Sequence, residues 1–196
     1  MTRDLSGLVS SASDWSGVRA VVAGIGIAGF AAADALLDVG ADVTVMDSGN
    51  GDRQRERAAV LEILGADVRL GDDTSAPPDT DVYIVSPGIA PHAHVIVSAQ
   101  QRDIPIWGEL ELAWRMRPAQ GAAPWLCVTG TNGKTTTTLM LDAILRSAGL
   151  ASTAAGNVGA SLLDAVRRPD LDVIATEVSA TQMPFVESMS PESAAC

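Results

Sequence analysis

Gly130-Thr131-Asn132-Gly133-Lys134-Thr135-Thr136 is the stretch that decides how this chain is interpreted. It follows an apolar segment at residues 125–129 and opens a helical pattern over residues 134–148. A strand, a glycine loop with a lysine and then a helix form a phosphate cradle. The glycines let backbone N–H groups approach phosphate oxygens, and the helix N-terminus adds partial positive charge. We therefore predict a nucleoside triphosphate site at these seven residues, with Lys134 reaching the outer phosphates.

The loop departs from the full pattern G-x-x-x-x-G-K-[ST] at one position, because Val128 stands where the first glycine belongs. Thr135 occupies the position whose hydroxyl meets Mg²⁺ in such loops. The alternative is an ordinary strand-to-helix turn. The strand before the loop, the unbroken helix after it and the extra threonines favour a triphosphate site with Mg²⁺.

A second glycine loop, Gly24-Ile25-Gly26-Ile27-Ala28-Gly29, follows a buried-strand pattern at residues 18–23. The next predicted strand, residues 42–46, ends at Asp47, which lies 23 residues after Gly24. An acid at this place accepts a hydrogen bond from a ribose or a base in Rossmann domains. The stretch predicts a nucleotide or dinucleotide site. The alternative is that the glycines only allow close packing of the helix on the strand.

Strand and helix patterns alternate along nearly the whole chain, which predicts an α/β protein with parallel sheets. We predict a Rossmann-like domain over residues 1–120, followed over residues 121–196 by the first part of a P-loop ATPase-type central domain. The boundary lies in a segment rich in proline, glycine and small residues, at 117–124. Strands are predicted at 18–23, 42–46, 67–70, 81–85, 104–106, 125–129 and 172–178, and helices at 28–39, 53–64, 93–102, 108–117, 134–148 and 160–167.

Composition excludes several classes of partner. The formal net charge of −11 argues against nucleic acid and anionic membranes, which need clustered Lys and Arg. No apolar run reaches 18 residues, so we expect no membrane span. Two cysteines offer no disulfide framework, which is typical of the reducing cytoplasm. We expect His92 and His94 to be surface residues rather than a metal pair.

Four stretches together resemble the Mur ligases of peptidoglycan synthesis. Within that family, the N-terminal pattern combined with Asn132 favours the members that add D-glutamate. The resemblance covers essentially the whole chain but only the first domain and the beginning of the family's central ATPase domain. The four stretches are Gly24 to Gly29, Ser86-Pro87-Gly88-Ile89, Gly108-Glu109-Leu110-Glu111-Leu112 and Gly130 to Thr136.

The resemblance implies an ATP-dependent ligase that joins D-glutamate to UDP-N-acetylmuramoyl-L-alanine through an acyl phosphate, in the cytoplasm and as a monomer when full length. It implies that Gly130 to Thr136 bind ATP, that Lys134 is the catalytic cation, and that Thr135 and Glu177 bind Mg²⁺. One departure is at Ala180 and Thr181, where the family usually has Ser and Phe. The residues that the resemblance implies for the UDP-substrate are Ile27, Ala28, Asp47, Ser48, Gly88, Asn157, Ser179 and Gln182.

Three functional hypotheses remain at this point. The first is that the chain is the N-terminal portion of such a ligase and is inactive alone, because the family's amino-acid-binding domain and later catalytic residues lie beyond these positions. The second is a truncated, non-catalytic protein that keeps nucleotide binding. The third is an NAD(P)-dependent oxidoreductase built on the first glycine loop, which leaves the loop at Gly130 to Thr136 unexplained.

Overall fold

A computed structural model describes residues 3–71, 77–89 and 93–196 of the chain. The alternation of strands and helices predicted from the sequence is present, and the predicted α/β class is confirmed. His92 lies outside the described residues, whereas His94 is the first residue of a helix. No helix in the described part of the chain is long and apolar enough to cross a membrane.

Five parallel strands form the first sheet, in the order β3-β2-β1-β4-β5. Loops that follow β1, β2 and β4 therefore meet at one edge, and the order reverses between β1 and β4, where open α/β sheets bind ligands. The strands are Arg19–Ala23 (β1), Asp42–Asp47 (β2), Asp67–Leu70 (β3), Val82–Val85 (β4) and Ile106–Gly108 (β5).

The described residues of this half of the chain form four helices, which cover its sheet. The first helix has an almost continuous row of buried alanines, which lets it lie close to the strands. The helices are Ile27–Asp38 (α1), Asp52–Ile63 (α2), His94–Gln101 (α3) and Glu109–Arg115 (α4).

Four parallel strands form the second sheet, in the order β7-β8-β6-β9. The prediction of a single strand after the phosphate-loop helix is wrong, because β7 and β9 join β8 in this sheet. The strand β7 is made of Ser, Thr, Ala and Gly, which have little of the β-branched and aromatic signal of a strand. The elements are Trp125–Val128 (β6), Lys134–Ser147 (α5), Ser152–Gly156 (β7), Leu162–Val166 (α6), Val173–Glu177 (β8), a 3₁₀ turn at Met183–Phe185 and Ser193–Ala195 (β9).

The main hydrophobic core runs from the first sheet into the second without interruption. Trp107 and Leu110 from the first half lie in the same cluster as Trp125 and Leu162 from the second. Trp125 also meets the ring of Trp114 edge to face, with ring centroids 5.2 Å apart. This shared core holds the carboxyl edges of both sheets, and the loops on them, close to one another.

Candidate functional site

The loop between β6 and α5 has the backbone shape that an anion cradle needs. Gly130 and Gly133 have φ angles of 134° and 77°, and Gly133 is the N-cap residue of α5. No side chain in the described part of the chain caps this helix, so its first N–H groups are left for a ligand or water to satisfy. Thr131, Asn132 and Thr136 are exposed around the loop.

Lys134 lies folded over this loop. Its Nζ donates to the carbonyl oxygen of Gly130 at 2.8 Å and to that of Thr131 at 3.5 Å. No carboxylate pairs with Lys134 among the described residues, and it is the only lysine in the chain. Its charge is therefore available to an anion, which would exchange for the two carbonyl oxygens.

Glu177 is the carboxylate of the second sheet that lies beside the phosphate loop. It ends β8, its side chain is buried, and Val178 after it pairs with the strand that leads into the loop. Thr135 Oγ1 donates to Glu177 Oε2 at 2.8 Å, and Asn157 Nδ2 donates to Oε1 at 3.1 Å. A hydroxyl, a carboxylate and an amide from three different segments thus converge at the edge of the sheet beside the phosphate loop.

These donors fit Mg²⁺. The ion prefers oxygen ligands and is commonly held by one or two carboxylates together with phosphates and water. Thr135 and Glu177 offer a hydroxyl and a carboxylate oxygen within 2.8 Å of each other, beside the loop that would hold phosphates. The described residues contain no group of three or more His, Cys, Asp or Glu side chains that could hold a metal unaided. A cation here would share its coordination with a nucleotide.

The first glycine loop is braced by contacts from outside it. Asp47 accepts from Ile25 N and Gly49 N, both at 2.7 Å, so each carboxylate oxygen is already paired with the backbone. Arg57 Nη1 donates to the Ile25 carbonyl oxygen at 3.0 Å. A Cβ atom on Gly29 would lie 1.8 Å from the carbonyl oxygen of Gly24, so the helix and strand touch here. The contact of Gly29 with Gly24 agrees with the hypothesis of close helix–strand packing, and the braced loop also leaves room for the hypothesis of ligand binding.

A cleft of about 230 Å³ lies between the first loop and the loop that follows β7. Ile27 and Ala28 line it on one side, and Asn157 on the other. Ile27 is 73% exposed although it is apolar, which is consistent with a surface that a ligand covers. The structure therefore brings together three of the predicted substrate residues from different halves of the chain.

The other predicted substrate residues are distributed around this cleft. Ser48 and Gly88 are exposed at the carboxyl edge of the first sheet and do not line the cleft itself. Ser179 N donates to Gln182 Oε1 at 2.9 Å, and Gln182 is buried in a neighbouring pocket lined by Pro87 and Glu109. Within the described residues, Gln182 Nε2 has no hydrogen-bond partner, so it is a buried donor that a ligand or a water can satisfy.

Two glutamates in the predicted stretch Gly108 to Leu112 reach across to the second half. Glu109 Oε1 accepts from Leu162 N at 3.0 Å and from Ser161 Oγ at 3.3 Å. Glu111 is fully buried and accepts from Glu187 N, Ser188 N and Ser188 Oγ, as well as from Arg115 Nε at 2.6 Å. The sequence analysis assigned neither glutamate a role.

The two glutamates differ in their titration. Burial raises the pKa of Glu109, the hydrogen bonds from Leu162 and Ser161 oppose that shift only partly, and the charge of Asp164 adds to it. Burial also raises the pKa of Glu111, but hydrogen bonds from Ser188, Glu187 and Arg115 outweigh burial and leave that pKa below its ordinary value. The sequence signals for them were their position after the edge strand β5 and their place in one of the four stretches that resemble the family.

Comparison with known proteins identifies the family. Residues 18–108 match the model of the MurD-like N-terminal domain of Mur ligases, and residues 128–194 match that of the Mur ligase middle domain. The chain belongs to the Mur ligase family. The predicted resemblance to this family is thereby confirmed.

Several relatives of this Mur ligase chain carry the name UDP-N-acetylmuramoylalanine–D-glutamate ligase. The protein from Streptomyces coelicolor is 47% identical over 186 residues, which are 93% of this chain and 40% of that protein. The one from Frankia casuarinae is 46% identical over 95% of the chain and 39% of its own length. The one from Leifsonia xyli is 40% identical over 98% of the chain and 40% of its own length. The chain thus spans about 40% of the length of the curated relatives it matches.

Proposed function

We propose that this Mur ligase chain forms the nucleotide-binding portion of a ligase that joins D-glutamate to UDP-N-acetylmuramoyl-L-alanine with ATP and Mg²⁺ in the cytoplasm. The observation that carries the proposal is the convergence of Thr135, Glu177 and Asn157 beside the loop that holds Lys134. The match to MurD-like sequences along both parts of the chain supports the same substrate pair.

In this proposal, the loop amides and Lys134 hold the phosphates of ATP, and Thr135 and Glu177 hold Mg²⁺. Lys134 gives up its two carbonyl contacts and places its ammonium group against the outer phosphates, where it neutralises charge during transfer. Bound ATP supplies the phosphoryl group that activates the substrate carboxylate as an acyl phosphate for attack by the amine of D-glutamate. The residues of this chain contribute charge and alignment to that reaction.

The UDP-substrate is proposed to lie over the first glycine loop and to extend through the cleft toward Asn157. Asp47 contributes mainly by holding the loop, since both of its oxygens bind backbone N–H groups. Ser48 and Gly88 line the edge at which uridine would lie. Gln182, whose Nε2 is buried without a partner in the described part of the chain, supplies a donor for the part of the substrate nearer the second sheet.

Calorimetry on the 196-residue chain tests the binding part of this proposal. We expect separate binding of UDP-N-acetylmuramoyl-L-alanine and of ATP with Mg²⁺, and weaker binding of NAD⁺ than of the uridine ligand. Tighter NAD⁺ binding would overturn the assignment of the first loop in favour of an oxidoreductase. Binding of both nucleotides without any ligase activity in a longer protein would favour a non-catalytic nucleotide-binding role.

Ligase activity is tested in a protein of the relatives' length that contains this chain. Phosphate release from ATP should require both UDP-N-acetylmuramoyl-L-alanine and D-glutamate. L-Glutamate is the matched control, because it differs only in configuration. Equal rates with the two enantiomers would contradict the proposed acceptor while leaving the nucleotide sites in place.

A further inference from the structure

Glu109 is a buried carboxylate that lines the cleft proposed to receive an anionic substrate. Only 5% of its surface is exposed, and it is the first residue of α4, immediately after the edge strand of the first sheet. A buried carboxylate loses hydration, and a phosphorylated ligand nearby would repel its charge. Hydrogen bonds that fix other parts of the site can compensate for this cost. The contacts of Glu109 indicate which parts these are.

Glu109 caps a helix that belongs to the other half of the molecule. Ser161 is the N-cap residue of α6, yet its hydroxyl does not cap that helix and instead donates to Glu109. Glu109 Oε1 also accepts from Leu162 N, the first N–H group of α6, at 3.0 Å. Glu109 thus supplies, from across the cleft, an acceptor for one of the N–H groups that have no partner within the helix.

The loop before α6 is held at its other end by Glu177. Gly156 and Asn157 open this loop, and Asn157 donates both its backbone N–H, at 3.2 Å, and its Nδ2 to Glu177. Four residues separate Asn157 from Leu162. The loop at residues 156–161 is thus held at one end by Glu109, from the first half, and at the other by Glu177, the residue proposed to hold Mg²⁺.

Glu109 is not needed to keep the two halves together. Glu111 binds residues 187–188, Arg115 joins that contact, and the hydrophobic core continues across the junction. The Glu109 contact fixes only the loop before α6 and the first residue of that helix, not the two halves relative to each other. Its second oxygen, Oε2, receives no hydrogen bond in the described residues and remains available to the cleft.

We propose that Glu109 is a positioning residue that couples the uridine-nucleotide cleft to the ATP–Mg²⁺ site by fixing the loop that carries Asn157. This rests on the function proposed above. A uridine ligand that presses on Ile27 and Ala28 meets Asn157 in the same cleft, and Asn157 contacts Glu177. Ordering the loop for one ligand lowers the cost of ordering it for the other, which makes the two binding events mutually favourable.

The test is a coupling measurement on the 196-residue chain. The dissociation constant of ATP with Mg²⁺ is measured by calorimetry without and with saturating UDP-N-acetylmuramoyl-L-alanine. We expect a ratio of about tenfold in the unsubstituted chain, within the range usual for coupled sites. Glu109→Ala should bring the ratio below about twofold, whereas Glu109→Gln, which keeps an oxygen acceptor for Leu162 N, should retain most of it.

Asp164→Asn is the matched control, because Asp164 lies near Glu109 on α6 without bonding to Leu162 N. Hydrogen exchange provides a second readout, in which Glu109→Ala should lose protection at residues 157–163 and keep it at 183–189. If the alanine variant is insoluble, Glu109→Asp, with its shorter reach, replaces it with the same expected loss.

The outcomes separate this proposal from the one on which it rests. If the unsubstituted chain binds neither nucleotide, the proposed function and the coupling both fail. If it binds both nucleotides and the ratio is one, or if Glu109→Ala keeps the full ratio, only the role of Glu109 is overturned. An equal loss of coupling in Asp164→Asn would also overturn the role of Glu109, because a change of charge near α6 would then be sufficient to cause the loss.

Discussion

The two glycine loops of this chain look alike in sequence but are held in different ways. At the first loop, Asp47 and Arg57 already pair with backbone groups of the loop from outside it. At the second, Lys134 contacts only carbonyl oxygens of its own loop, and Thr135 contacts Glu177. The first loop is therefore preformed by the fold, whereas the polar groups of the second can exchange partners for a ligand. Substitutions should accordingly affect stability at the first loop and binding at the second.

The largest expected effect compares one glycine from each loop. Gly29→Ala should lower the free energy of unfolding by about 3 kcal/mol or more, because the new methyl group meets the Gly24 carbonyl oxygen at 1.8 Å and the backbone must move. Gly133→Ala has open space and a φ of 77°, so only about 1–2 kcal/mol of left-handed strain is expected. Urea denaturation of both variants measures the difference. Equal losses would contradict the distinction between the loops.

The next prediction concerns the junction that holds the two loops together. At pH 7, Glu111→Gln should destabilise the protein by about 3 kcal/mol, because Arg115 loses its buried charge partner and an amide N–H group faces other donors. Glu109→Gln should leave stability unchanged or increase it, because it removes a buried charge but keeps an acceptor. Chemical denaturation of the two variants against the unsubstituted chain measures both effects.

The pH dependence of these two variants has opposite signs. The pKa of Glu111 is lowered in the fold, so its stabilisation is present above its unfolded pKa and is lost as the pH falls through the folded value. The pKa of Glu109 is raised, so its contribution is fully present below its unfolded pKa and is lost as the pH rises through the folded value. In denaturation series from pH 3 to pH 8, roughly the range in which carboxylates titrate in folded proteins, the stability deficit of Glu111→Gln and the stability gain of Glu109→Gln should both approach zero in acid, so the two differences change in opposite directions. A parallel response would refute the assigned shifts.

A third prediction isolates the second loop. Lys134→Ala should weaken binding of ATP with Mg²⁺ by about 2–3 kcal/mol, since it removes a charged hydrogen-bond donor. The free energy of unfolding should change little, because Lys134 contacts only its own loop. Arg146→Ala, on the same helix, is the control. As a second measurement, ATP should protect Lys134, the only lysine, from an amine-selective acylating reagent, and mass spectrometry distinguishes its acylation from that of the N-terminal amine.

The smallest effect is expected at the first loop. Asp47→Asn replaces one of two carboxylate acceptors by an amide N–H group, so one of the contacts to Ile25 N and Gly49 N is lost. We expect a loss of about 1.5 kcal/mol in unfolding free energy and about tenfold weaker binding of the uridine ligand. ATP binding should not change. Asp42→Asn, at the exposed start of the same strand, is the control, and an equal effect there would show that the loop is not specifically braced.

Much of the fold could be predicted because its signals are local. Continuous apolar strands such as Val82–Val85 and the helix after Lys134 have strong patterns, and the predicted bounds differ from the observed ones by a few residues at most. The strand Ser152–Gly156 was missed because its small residues have no strand pattern of their own. It is a strand because it pairs with β8, which is a tertiary contact.

The sequence by itself determined the α/β class, the family and the position of both glycine loops, because each follows from short runs of residues with a defined backbone requirement. Only the tertiary structure decided which distant side chains meet. The resemblance had implied a shared Mg²⁺ site for Thr135 and Glu177, which are 42 residues apart, but the contact of Glu109 with Leu162, 53 residues away, came from the tertiary structure alone. The physical reason is that strand order and the shared core set these contacts, and neither leaves a pattern along the chain. The tertiary structure also showed that the carboxylate of Asp47 binds backbone N–H groups around the first loop.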